Sequence, residues 1–183
     1  MRTLVLVLAA AGLLVAQGGK IVRPSDGAAI VSGPLDIAAR APGGWIELDG
    51  KPVDAEQPFP DVFRARIDAV PGEHVVSLIW EGGREDIRIW AGANPPGAFT
   101  EFRQHPPLDA IECAQCHGVS RRGRFRFRGG CESCHAKEEF VKTHPHPMHV
   151  LEDCGQCHNA HGSTTDALLV HPRETACRLC HGL

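Results

Sequence analysis

The chain has 183 residues, with 19 basic and 22 acidic side chains and a formal charge of −3. That balance lacks the concentrated positive charge of a nucleic-acid binder, and the length suits one or two domains. All three tryptophans (Trp45, Trp80, Trp90) precede residue 91, while all eight cysteines and ten of the eleven histidines follow residue 104. The asymmetry predicts two domains with differently built cores.

Residues 1–18 read as a secretory signal peptide. Arg2 supplies the positive start, residues 4–15 are apolar, and Ala16-Gln17-Gly18 offers small residues for cleavage. The apolar run is short for a membrane span. An uncleaved anchor is the competing reading, and no cysteine follows the run to carry a lipid.

Residues 19–92 carry the pattern of short strands separated by turns. Phe63, Ala65, Ile67 and Ala69 alternate with Arg64, Arg66 and Asp68, which predicts a strand with one buried face. Residues 75–80 and 87–90 continue the series, with 21–23, 28–31 and 35–39 before them. Asp49-Gly50 between Trp45-Ile46-Glu47-Leu48 and Lys51-Pro52-Val53 is a hairpin signal, because glycine tolerates positive φ. About seven strands in seventy residues suggest a small β-sandwich. On strand number and on the Asp-Gly and Pro71-Gly72-Glu73-His74 turns, the stretch resembles the immunoglobulin-like modules of exported bacterial proteins. It contains no catalytic set, and His74 reads as a turn residue rather than a ligand. Residues 93–104 read as a linker, introduced by Gly92-Ala93-Asn94-Pro95-Pro96-Gly97.

Every cysteine lies in a Cys-x-x-Cys-His pentapeptide: Cys113, Cys116 and His117; Cys131, Cys134 and His135; Cys154, Cys157 and His158; Cys177, Cys180 and His181. This is the attachment signature of c-type haem. On one helical turn, residues three and four apart share a face, so two thiols can form thioethers with the haem vinyl groups while the next imidazole reaches the iron. Zinc knuckles also use paired cysteines, but they have no reason to place histidine after the second cysteine every time. Disulfides across four such tight loops would be strained. The count predicts four covalently bound haem c groups, with His117, His135, His158 and His181 as proximal ligands.

The motifs repeat in pairs. A shift of 41 residues superposes His105-Pro106 on His146-Pro147 and the motif at Cys113 on that at Cys154. Residues 105–145 and 146–183 therefore read as two copies of one unit. Apolar side chains are sparse here, so the porphyrins are expected to form the core of residues 105–183, in a mostly irregular fold with short α-helices at the attachment sites and little strand.

Through these motifs the chain resembles the multihaem c-type cytochromes, in particular the doubled Cys-x-x-Cys-His group and the small tetrahaem cytochromes. The resemblance implies two axial histidines per iron, low reduction potentials and electron transfer without catalysis. Only Met148 offers a thioether ligand after residue 18. Six further histidines supply the four vacancies. His105 and His146 each stand eight residues before an attachment cysteine. His146 and His149 form a His-x-x-His lead-in similar to that of the small tetrahaem cytochromes, and His161 follows His158 as in the doubled-motif group. His105, His146, His149 and His161 are the expected distal ligands, with His144 and His171 in reserve. Ser120 and Leu108 stand where the first repeat would match His161 and His149, so the second repeat is expected to lend ligands to haems of the first.

Arg121, Arg122, Arg124, Arg126 and Arg128 have two readings: partners for haem propionates, or a docking patch for an acidic redox protein. Phe125 and Phe127 suit packing against a haem face. The expected role is that of an exported electron carrier between redox proteins, in the periplasm, at the cell surface or outside the cell. The β-module either docks it or spaces it. Alternatives are a subunit of a conductive homo-oligomeric filament, or a haem enzyme such as a nitrite or hydroxylamine reductase, which would need an open axial position.

Overall fold

A computed structural model describes residues 18–31, 33–105, 112–136, 146–147, 149 and 153–182. The signal segment, His144 and Met148 lie outside the described residues. Among those described, no helix is long and apolar enough to cross a membrane.

Two sheets share one apolar core. The first has strand order β1-β3-β7-β6, from Lys20–Arg23 (β1), Leu35–Arg40 (β3), Val62–Ile67 (β7) and Glu56–Phe59 (β6). The second has order β10-β2-β9-β8-β4-β5, from Thr100–Glu101 (β10), Ala28–Ile30 (β2), Gly83–Ala91 (β9), Gly72–Trp80 (β8), Trp45–Leu48 (β4) and Lys51–Pro52 (β5). Leu35, Ile37 and Phe63 from the first sheet meet Ile46, Leu78 and Ile89 from the second. Alternation decides which side faces in. On β7, Phe63 and Ala65 are buried, while Arg64 and Arg66 reach the acids Glu56 and Asp36 on neighbouring strands.

The turns follow the expected chemistry. Leu48 pairs with Lys51, and the two residues between them, Asp49 and Gly50, have φ of 51° and 75°, the geometry of a tight hairpin. Trp80 pairs with Gly83 across a second two-residue turn. Nine strands lie between Lys20 and Ala91 where about seven were expected. The unforeseen β6 is an exposed edge strand carrying Pro58, which breaks alternation and is tolerated only at a sheet edge.

Within the segment expected to be a linker, Thr100–Glu101 pairs in parallel with β2, and Phe99 and Phe102 are buried. His74 is a strand residue rather than a turn residue. It sits near the end of the buried face of β8, with its ring nitrogens 2.7 Å from Asp49 Oδ2 and 2.7 Å from the Val70 carbonyl oxygen. Both nitrogens are thereby engaged inside the sandwich.

After the sandwich, regular structure is short. A one-turn helix α1 (Cys113–Cys116) leads into a hairpin of β11 (His117–Val119) and β12 (Phe125–Phe127). Single 3-10 turns cover Cys131–Ser133, Cys154–Gln156 and Asp166–Leu168, and α2 spans Arg173–His181. Short helices at the attachment sites agree with expectation. The hairpin does not, and its cause is the period-two run Arg124-Phe125-Arg126-Phe127-Arg128, which suits a ribbon and no helix.

Candidate haem-binding site

Each motif is wound as one helical turn. The N–H of His117 donates to the Cys113 carbonyl, and those of His135 and His158 donate to the Cys131 and Cys154 carbonyls at 2.9 Å. Cys177, Cys180 and His181 lie on α2, which ends at Gly182 in the left-handed region (φ 63°). In every motif the first cysteine and the histidine are thus brought to one side, as attachment requires. None of the eight cysteines is paired in a disulfide. Cys131 lies beside Cys154 and within electrostatic reach of Cys116. Burial, with those neighbours adding to it, pushes its thiol pKa up. Attachment points from three different motifs therefore converge.

The histidines meet in pairs, each joining one motif histidine to one outside the motifs. His117 and His161 have ring centroids 5.8 Å apart and planes within 16°. His105 and His135 have centroids 5.7 Å apart, with Nε2 facing Nε2 at 3.5 Å. His146 and His181 have centroids 6.0 Å apart. Metal–imidazole bonds are about 2 Å long, so two imidazoles on opposite sides of one iron hold their bonding nitrogens about 4 Å apart. The His105 and His135 nitrogens fall within about half an ångström of that requirement, and the residues present fit a bis-histidine haem.

Around His161, His117 and His105 the surroundings favour the neutral ring, the form that offers a lone pair to iron. Burial, helped by His117 and by the nearby Arg23 cation, pulls the His161 pKa down to about 4. Burial also lowers His117, against a bond to the Arg126 backbone. His105 is lowered by burial and then by His135. The His158 Nδ1 lies 2.8 Å from the Ala167 carbonyl, the hydrogen bond that orients a metal-binding imidazole and fixes its tautomer. His149 and His171 are exposed, and the reserve His144 lies outside the described residues.

Phe125 stacks on His117 at 4.8 Å, and Phe127 meets it edge-on at 5.6 Å. Phe125 also packs against Phe59 of the sandwich at 5.3 Å, under the Arg40 guanidinium. These phenylalanines share the hairpin side of His117. Strand alternation sends Arg124, Arg126 and Arg128 to the other side, and Arg128 lies across Gly118.

Sequence reasoning missed three residues of the sandwich edge beside His161. Phe102 reaches Gly162, Arg103 pairs with Ser163, and Arg23 lies near the His161 ring. The aromatic-basic pair after Thr100–Glu101 was the available signal.

Residues 146–182 match the family profile described as Doubled CXXCH motif. The chain is 35% identical over 83 aligned residues to a multiheme cytochrome MtrA of Shewanella baltica, covering 39% of this chain and 24% of that protein. It spans about a quarter of the length of this relative. A solved structure of Clostridium thermocellum CbhA fibronectin(III)-like modules is similar at 20% identity, with a TM-score of 0.34, covering 41% of this chain and 96% of that one. The match over residues 146–182 and the likeness to a multiheme cytochrome support covalently bound c-type haem at the Cys-x-x-Cys-His motifs, in a chain that also carries a β-sandwich.

Proposed function

We propose that this chain is an exported tetrahaem electron carrier in which every iron is held between two histidines. The observation that carries the reading is the pairing of His117 with His161, His105 with His135, and His146 with His181. The fourth motif histidine, His158, takes His149, the remaining expected distal ligand. Bound haem supplies the one-electron iron couple. The chain's residues would supply both axial ligands, hold the attachment points of three motifs together and half-bury the first pair against the sandwich. Two protein ligands per iron leave no position for a substrate, which favours a carrier over a reductase.

The relative is named a multiheme cytochrome, which supports transfer between redox partners outside the cytoplasm, where the apolar segment at residues 4–15 would deliver the chain. The hairpin arginines point away from His117 and form no ion pair among the described residues. They suit an acidic redox partner better than the propionates of the haem at His117. The sandwich is proposed to be immunoglobulin-like, on its strand number and two-layer build.

A haem count on the purified chain with low-temperature EPR tests the reading. Four haems with four low-spin ferric signals are expected. A high-spin signal, or rapid stoichiometric carbon monoxide binding to the reduced chain, would restore the enzyme reading. Metal without tetrapyrrole would end the haem assignment.

A further inference from the structure

The loop that carries His161 is docked onto the β-sandwich. Arg103 and Ser163 exchange two backbone hydrogen bonds, Arg103 N–H to the Ser163 carbonyl at 2.8 Å and Ser163 N–H to the Arg103 carbonyl at 2.9 Å. This is the smallest antiparallel pairing a chain can make. It continues β10, because the next residue inward, Phe102, donates its N–H to the Ala29 carbonyl of β2 at 2.9 Å.

Side chains reinforce the pairing. Phe102 belongs to the sandwich core, yet its ring lies so close to Gly162 that a Cβ there would fall 2.5 Å from it. Gly162 has φ of 113°, a conformation that favours glycine. The loop thus presses its backbone onto the ring as only glycine permits. Arg103 also forms an ion pair with Asp166, beyond the loop. Ser163 is buried, and its hydroxyl donates to the Leu169 carbonyl at 2.6 Å, while the His161 N–H donates to Asn159 Oδ1 at 3.0 Å. The segment from Asn159 to Leu169 is therefore a rigid loop seated on the sheet edge, with His161 at its tip over His117.

We infer that the β-sandwich acts as a clamp that holds His161, a residue of the second repeat, in place as the distal ligand of the haem attached in the first. Phe102 and Arg103 are its positioning residues. This inference rests on the bis-histidine reading above and gives the amino-terminal module a function inside the electron-transfer unit. Ser120 occupies the place in the first repeat that matches His161, so the His117 iron depends on a ligand borrowed across the repeat boundary. A borrowed ligand needs an external hold, and the sheet edge provides it.

Two variants of the full holo chain test the clamp. Phe102→Ala removes the ring beneath Gly162. Arg103→Pro removes the N–H donated to Ser163, one residue past the last hydrogen bond between β10 and β2. Circular dichroism reports whether the sandwich remains folded. With four haems still attached, each variant should lose one low-spin EPR signal of four, gain one high-spin signal, and bind one carbon monoxide per chain after reduction. The new high-spin signal should superpose on that of His161→Ala. If both folded variants keep the wild-type spectrum and bind no carbon monoxide, the clamp is refuted alone. If the wild type itself shows a high-spin iron at this site, the bis-histidine reading fails and takes the clamp with it.

Discussion

His74 offers a quantitative test of how the sandwich is held together. Its ring lies 2.7 Å from the Asp49 carboxylate on one side and 2.7 Å from the Val70 carbonyl on the other, with the side chain only 6% exposed. Both partners are acceptors, so only the doubly protonated ring can donate to both. A hydrogen bond to a charged group contributes about 1.5–3 kcal/mol. The Asp49 side chain is 47% exposed, which places its bond near the lower end of that range. The bond to Val70 adds about 1 kcal/mol, so His74→Gln should cost roughly 2–3 kcal/mol. At about 4–8 °C per kcal/mol for a domain of this size, the melting temperature of the sandwich should fall by about 10 °C or more.

The sign with pH follows from the environment. Burial alone would lower the His74 pKa, but the Asp49 bond, the Val70 carbonyl and the Asp49 charge together raise it above 6.5. The contribution is therefore complete below about pH 6.5 and fades as pH rises through the raised value. Asp49 itself is desolvated, yet the bonds from His74 and the Val75 N–H hold it below its ordinary 3.8. Its contribution persists until acid pH falls through that lowered value. Melting curves of the wild-type and His74→Gln holo chains, followed by far-ultraviolet circular dichroism, should show their widest gap near pH 5–6 and a narrower one near pH 9. A gap independent of pH, or one under about 2 °C at pH 5.5, would refute the reasoning.

Further outcomes concern the core, the haem sites and the arginine face. Leu78 is fully buried between the sheets, so Leu78→Ala should cost about 2–5 kcal/mol in denaturant unfolding. His105→Met should raise the potential of the haem at His135, since a thioether ligand favours the reduced iron, and spectroelectrochemistry would show one of the haems shifted positive. Arg23 is a buried cation paired with Asp36 at 3.4 Å and close enough to His161 to act on it. Arg23→Met should lower the potential of the haem at His117, both by removing that charge and by leaving Asp36 less compensated. Charge reversal at Arg124, Arg126 and Arg128 should slow electron exchange with an acidic redox protein and flatten its dependence on salt, measured by stopped-flow absorbance; unchanged rates at low salt would remove the docking role.

What the sequence displays plainly is whatever local chemistry specifies. Asp49-Gly50 had to turn, Phe63 and Ala65 had to face inward, and the cysteine spacing had to wind one helical turn. The nearness of His161 to His117 was foreshadowed too, by Ser120 standing where a histidine would complete the repeat. Long-range pairing was hidden. Nothing near Thr100 announces a strand, because two residues of parallel pairing carry no period, and the segment is ordered by Phe99 and Phe102 entering a core built some seventy residues earlier. The arginines and phenylalanines of this run were read as contacts for propionates, a partner or a haem face, although their alternation already described a ribbon with two unlike sides. His74 looked like part of a turn because its partners lie on other turns, out of view of its neighbours in the chain.

The link between His117 and His161 also has a temporal side. As the polypeptide emerges from its amino terminus, the sandwich and the first attachment motif are complete dozens of residues before His161, the imidazole proposed to cap the far side of the haem at His117. If haem were attached during that interval, its iron would lack that ligand and could take a wrong histidine arriving sooner, such as His135 or His146. A preformed landing strip on the sheet edge shortens that window, since the late loop needs only to zip onto an edge already in place. On that reading the first repeat cannot be finished without the second.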